Sequence, residues 1–170
     1  FLFGVIFFLY KPRHIFKYVS LFAIGHSLTL LFGVLADLTV NAYLIDAIIG
    51  FSIAYKAFEN IDGFKSVFSF NPRADVAVFV FGLFHGLGLA TKLQEFNLSE
   101  NGIITNILSF NIGVELGQLF ALSVVLIGII IWRSSDNFSR NAFATNVVIM
   151  TAGFLLAGYQ LSHYYWTGAI

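Results

Sequence analysis

The sequence predicts an all-α, polytopic integral membrane protein: a single bundle over residues 1–170 with about six transmembrane helices, the first truncated. Three observations predict it. Hydrophobic residues make up 58% of the chain, charged residues only 11%, and mean hydropathy is +0.85. Soluble domains carry about 25% charged residues. A chain this apolar cannot cover itself with polar surface, so its solvent is lipid. The 21 phenylalanines suit a lipid-facing exterior. The apolar runs are also broken at intervals by short polar turns, and both prolines fall in such turns, at 12 and 72.

The same composition excludes a nucleic-acid binder, a disordered tail and a cytosolic enzyme. Nine basic and nine acidic residues leave no net charge to attract polyanions. With no cysteine, disulfides, thiolate metal sites and Cys nucleophiles are excluded together.

In chain order, FLFGVIFFLY at 1–10 is followed by Lys11-Pro12-Arg13, which suits the end of a span rather than a whole one. A signal-peptide core would lead into small residues and a cleavage site, not a basic turn. Hydropathy then places spans at about 15–36, 42–60, 75–93, 102–132 and 142–163. The fifth is long for a bilayer and should tilt or project.

Charge sets the orientation. Lys11, Arg13, Lys17, Lys56, Lys65, Arg73, Arg133 and Arg140 lie on one side of this layout, and Lys92 alone on the other. The positive-inside rule makes loops 11–17, 61–74 and 133–141 cytoplasmic. The Tyr164-Tyr165-Trp166 belt and the C-terminus fall outside. On the outer side Asp37, Asp46, Glu95 and Glu100 face Lys92; four acids against one base leave net −3, a mild attraction for cations.

Ionisable groups at mid-membrane are costly and mark function. His26, His85 and Glu115 each lie near the middle of a span. Two imidazoles and a carboxylate suit a borderline divalent cation such as nickel, cobalt, zinc or iron, and suit magnesium or calcium poorly. Ser27 and Thr29 accompany His26. Ser52, Tyr55 and Glu59 share one face of the third span, and Asn111, Glu115 and Gln118 one face of the fifth. Such polar stripes point to other helices or to a wet cavity. Gly82, Gly86 and Gly88 surround His85, and the Gly82/Gly86 spacing lets another backbone approach. Gly113 and Gly117 suit close packing in the same way. Against these readings stands plain interhelical hydrogen bonding, worth roughly 0.6 kcal/mol per group. Asp46 reads as an access ligand or a solvated charge, His14 and His163 as interfacial residues.

Four segments carry a resemblance: IGHSLTL at 24–30, SIAYKAFENI at 52–61, FGLFHGLGLA at 81–90 and FNIGVELGQL at 110–119. The chain resembles the HupE/UreJ family of small bacterial membrane proteins, the last two segments most specifically. The resemblance implies an inner-membrane permease for nickel or a related divalent metal. It maps the family's histidines onto His26 and His85, its EN pair onto Glu59-Asn60, and its FN-GVE-GQ helix onto Asn111, Glu115 and Gln118. A family motif of the form GxxHIxxGxDH would precede Phe1, so the resemblance also implies metal ligands ahead of the numbered residues. Two other readings stay open. Two His and a Glu could hold a catalytic zinc that hydrolyses a lipid amide or ester, although no H-E-x-x-H pairing is present. The chain could instead be an accessory subunit of a larger membrane complex, or form a homo-oligomer.

Overall fold

The computed structural model describes residues 1–9, 11–95 and 102–167. Among these it contains only helices: α1 (Leu2–Ile6), α2 (Pro12–Leu35), α3 (Ala42–Asn60), α4 (Gly63–Phe68), α5 (Ala74–Gln94), α6 (Ile103–Arg133) and α7 (Phe138–Thr167). Glu100, expected to contribute outer negative charge, lies outside the described residues.

Four helices, α2, α5, α6 and α7, are long and apolar enough to cross a membrane. The other two expected spans, the truncated first run and α3, form helices that fall short of this standard among the described residues, for two physical reasons. The 1–10 run yields only the five-residue α1, and α3, although 19 residues long, carries Asp46, Lys56 and Glu59. Helix ends also differ from the hydropathy limits. Pro12 is the first helical residue of α2, where its fixed φ helps and its missing N–H costs nothing. α7 begins at Phe138, four residues ahead of the apolar run, because Ser139, Arg140 and Asn141 form a polar first turn. Hydropathy reads bilayer thickness, not helix length. α4 forms inside the expected loop 61–74, between Asp62 and Ser69, both left-handed.

Two helix pairs make the bundle, α2 with α5 and α3 with α7, and α3 also packs on α5. Glycine sets both close crossings. A Cβ at Gly25 would stand 2.6 Å from the Phe79 carbonyl oxygen, and one at Gly82 2.6 Å from that of Phe22. A Cβ at Gly50 would meet the Ala157 amide at 2.8 Å, and one at Gly153 the Ala54 amide at 2.7 Å. Such separations need hydrogen in place of a side chain, the membrane mode of small-residue packing. Beyond the seams, α1 is clasped at its middle and at its C-terminal end. Asn60 Nδ2 donates to the Gly4 carbonyl and to Asn146 Oδ1, both at 2.9 Å. Arg133 donates to the carbonyls of Ile6, Phe7 and Leu9, placing a cation on the C-terminal end of α1.

α6 is attached differently. It touches α2 and α1 only sparsely, and Ile104, Ile112, Leu116, Phe120, Ile127 and Ile131 face outward.

Candidate functional site: a two-histidine cavity between α2, α3 and α5

The α2–α5 seam brings two imidazoles together. Gly86 lies against the His26 carbonyl and the Thr29 hydroxyl, with no room for a Cβ. Thr29 Oγ1 donates to the Leu83 carbonyl across the seam at 2.6 Å. His26 and His85 are thereby carried on helices held at backbone contact. Phe22 touches both rings: stacked on His26 at 6.0 Å between centroids, edge-on to His85 at 5.1 Å.

Both histidines line a cavity of about 380 Å³, whose wall also includes Phe22, Asp46, Ile49, Gly88, Lys92 and Gln118. His85 Nδ1 lies 2.7 Å from the Phe81 carbonyl oxygen. A carbonyl only accepts, so Nδ1 carries the proton and Nε2 keeps a free lone pair. A backbone carbonyl orienting the far nitrogen is the usual outer support of a metal-binding histidine. His26 is 5% exposed, and its Nδ1 is buried with no hydrogen-bond partner among the described residues. A buried orphan nitrogen is costly unless something binds it.

The remaining expected site residues divide into three groups. Gln118 lines the cavity, but Glu115 does not. Glu115 accepts from Ser27 Oγ at 2.5 Å, and Asn111 Nδ2 donates to that same hydroxyl at 3.1 Å. These three groups tie α6 to α2, and Glu115 opens instead onto a smaller lateral pocket of about 200 Å³ with Phe16, Val19 and Ser20. Ser52 is fully buried and donates to the Ile49 carbonyl of its own helix at 2.7 Å. Glu59 pairs with Lys56 at 3.0 Å at the opposite end of α3, where the two line a separate cavity of about 510 Å³ together with Asn60 and Asp62. Asn60 serves the α1–α3–α7 clasp.

Gly88 seats α3 against α5, since a Cβ there would lie 3.0 Å from both Ile45 and Ile49. Gly113 and Gly117, expected to pack closely, face open space, with nothing within 4 Å of an added Cβ. They lie on a face of α6 that no other helix covers among the described residues. His14 is exposed, and His163 stacks between Tyr43 and Tyr159. Among the described residues, no three His, Asp or Glu side chains converge on one point.

The sequence reading missed the Asp46–Lys92 pair at the cavity, the role of Phe22, and the clasp formed by Arg133 and Asn146. Asn146 is fully buried in α7. A lone Asn in an apolar helix is its only signal in the sequence, and Arg133 shows there only as one of the inside charges.

With two imidazoles facing a cavity between glycine-meshed helices, the comparison with known families can be made. The HupE / UreJ protein family profile matches residues 1–168. This chain belongs to the HupE/UreJ family. The match spans nearly the whole chain. Searches of curated proteins and of solved structures returned no match.

Proposed function

We propose that this HupE/UreJ protein is a permease for a divalent transition-metal ion, nickel first and cobalt or zinc next, importing across the bacterial inner membrane with its C-terminus outside. The observation that carries this reading is the pair His26 and His85 on one cavity, the latter with Nδ1 anchored and Nε2 free. Neutral imidazole is the ligand type for nickel, cobalt and zinc. The metal is cargo here, so a partial ligand shell that binds and releases serves better than a closed one.

In this reading His26 and His85 hold the cation, Gln118 lines its path, and Ser27, Asn111 and Glu115 hold α6 beside it. Glu115 reaches the ion only if α6 turns, which its sparse packing permits. A half-buried carboxyl beside a hydroxyl is also a suitable carrier for a counter-transported proton.

The test is elemental analysis of the purified protein alongside His85→Ala, with uptake measured at equal expression. Loss of bound nickel or cobalt, by tenfold or more, together with loss of uptake is the expected result. Unchanged uptake at equal expression overturns the site.

A further inference from the structure

We propose that Asp46 is the first cation-binding group on the route to the histidine cavity, and that Lys92 is its resident counter-ion, displaced by each arriving divalent cation. The inference rests on the permease reading and adds to it a point of control that the reading does not contain.

Lys92 Nζ bonds both carboxylate oxygens of Asp46, at 3.3 and 3.2 Å. The two residues lie on different helices, α3 and α5, and both line the cavity that holds His26 and His85. They are the only Asp, Glu, Lys or Arg side chains among its described lining residues, and their charges offset each other while the pair is closed. The seating is built: Gly88, one turn before Lys92 on α5, lets α3 come close enough for Asp46 to lie 4.0 Å from where a Cβ would stand. Asp46 is the more covered partner, its side chain 20% exposed against 52% for Lys92.

That asymmetry assigns the roles. The carboxylate stands on a short side chain that is largely covered. The ammonium sits at the end of a four-carbon stem that is half in solvent and free to swing away. A closed pair leaves an arriving cation with attraction and repulsion that nearly cancel. A double charge then competes with a single one for the same two oxygens. An ion pair with one partner half in solvent holds only weakly, so the exchange meets little resistance. Because no three His, Asp or Glu side chains converge among the described residues, Asp46 forms a station apart from the histidines rather than part of their coordination.

The experiment is direct titration of the purified full chain with nickel or cobalt chloride, for wild type, Lys92→Met, Asp46→Asn, the double variant and His85→Ala. Lys92→Met keeps the stem and removes the charge. Its apparent affinity should tighten about tenfold at low salt, with the gain shrinking as salt rises. Asp46→Asn should loosen binding by a similar factor, and Lys92→Met should add nothing in that background. If the pair is only a latch between α3 and α5, Lys92→Met binds metal no more tightly and melts lower, which overturns the proposal. His85→Ala separates the two levels. Binding lost in His85→Ala but untouched by Lys92→Met removes the counter-ion role and leaves the permease site. Equal binding by wild type and His85→Ala removes both.

Discussion

Gly82 and Gly86 on α5, and Gly113 and Gly117 on α6, are the same motif in two settings. Each pair is four residues apart in an apolar helix. An added Cβ at Gly82 would lie 2.6 Å from the Phe22 carbonyl oxygen, whereas at Gly113 or Gly117 it would meet nothing within 4 Å. The helices differ accordingly: 44% of the apolar window of α5 is buried, against 11% of that of α6. Spacing states what a helix offers, and the partner decides whether the offer is used. The functional consequence lies in the cavity walls. Its histidines stand on two helices locked backbone to backbone. Gln118 stands on α6, which meets α2 through the Ser27–Asn111–Glu115 hydrogen bonds and α1 through Arg133 and the apolar cluster of Ile6, Leu122 and Ile129, with no backbone-to-backbone seam. One wall is packed at backbone contact and the other more sparsely, an arrangement that would suit a site that opens and closes.

The comparison breaks most visibly at Gly86. Gly86→Val places branched carbons where the His26 carbonyl and the Thr29 hydroxyl already sit. Overpacking costs about 1–3 kcal/mol where neighbours can shift, and more where they are backbone. The variant should insert in the membrane but fail to give a monodisperse purified protein. A Gly86→Val protein melting like wild type would show that the seam is not tight.

A middle-sized effect should come from the loose wall. Ser27→Ala removes the hydroxyl that donates to Glu115 and accepts from Asn111. Buried membrane hydrogen bonds contribute about 0.6 kcal/mol on average and at most about 1.7. The chain has no cysteine, so a single Val114→Cys reporter on α6 gives a clean labelling rate. Ser27→Ala should raise that rate several-fold while leaving a Val78→Cys reporter, buried by the α2–α5 seam, unchanged. Equal acceleration at both positions would mean that the bundle loosens as one body and the two-wall distinction is wrong.

These particulars show what the sequence could and could not display. The long helices were legible because a membrane segment must satisfy its backbone internally over a fixed thickness, so an apolar run of the right length has one solution. α4 was not: Phe64, Val67 and Phe68 span too few residues to register, and its left-handed flanks at Asp62 and Ser69 carry no glycine to announce them. The α2–α5 seam left a trace in Gly25, Gly82 and Gly86. The α3–α7 seam left an equivalent one in Gly50/Ala54 and Gly153/Ala157, which is readable only once the two helices are known to meet. Residue types at the cavity were visible, but their grouping was not. A helical stripe fixes which side chains share a face, not which neighbour that face meets. Glu115 and Gln118 share a face of α6, yet α2 stands at its edge: Glu115 reaches Ser27 and Gln118 reaches the cavity.

The smallest effect is the most discriminating. Gly117→Leu puts a large apolar side chain on an uncovered face of α6, between Leu116 and Phe120, both outward-facing. If lipid covers that face, the side chain displaces only acyl chain. Replacing a helical glycine should then leave melting unchanged or raise it by up to about 1 kcal/mol, as it does in exposed helices. If a second copy or another subunit covers it, the same leucine meets backbone, as it would at Gly86. Stability should then fall, and the particle mass in mild detergent should drop by a whole partner. Measuring melting and mass together on Gly117→Leu therefore decides whether the two glycine pairs differ in kind, or differ only because one of them meets its partner outside this chain.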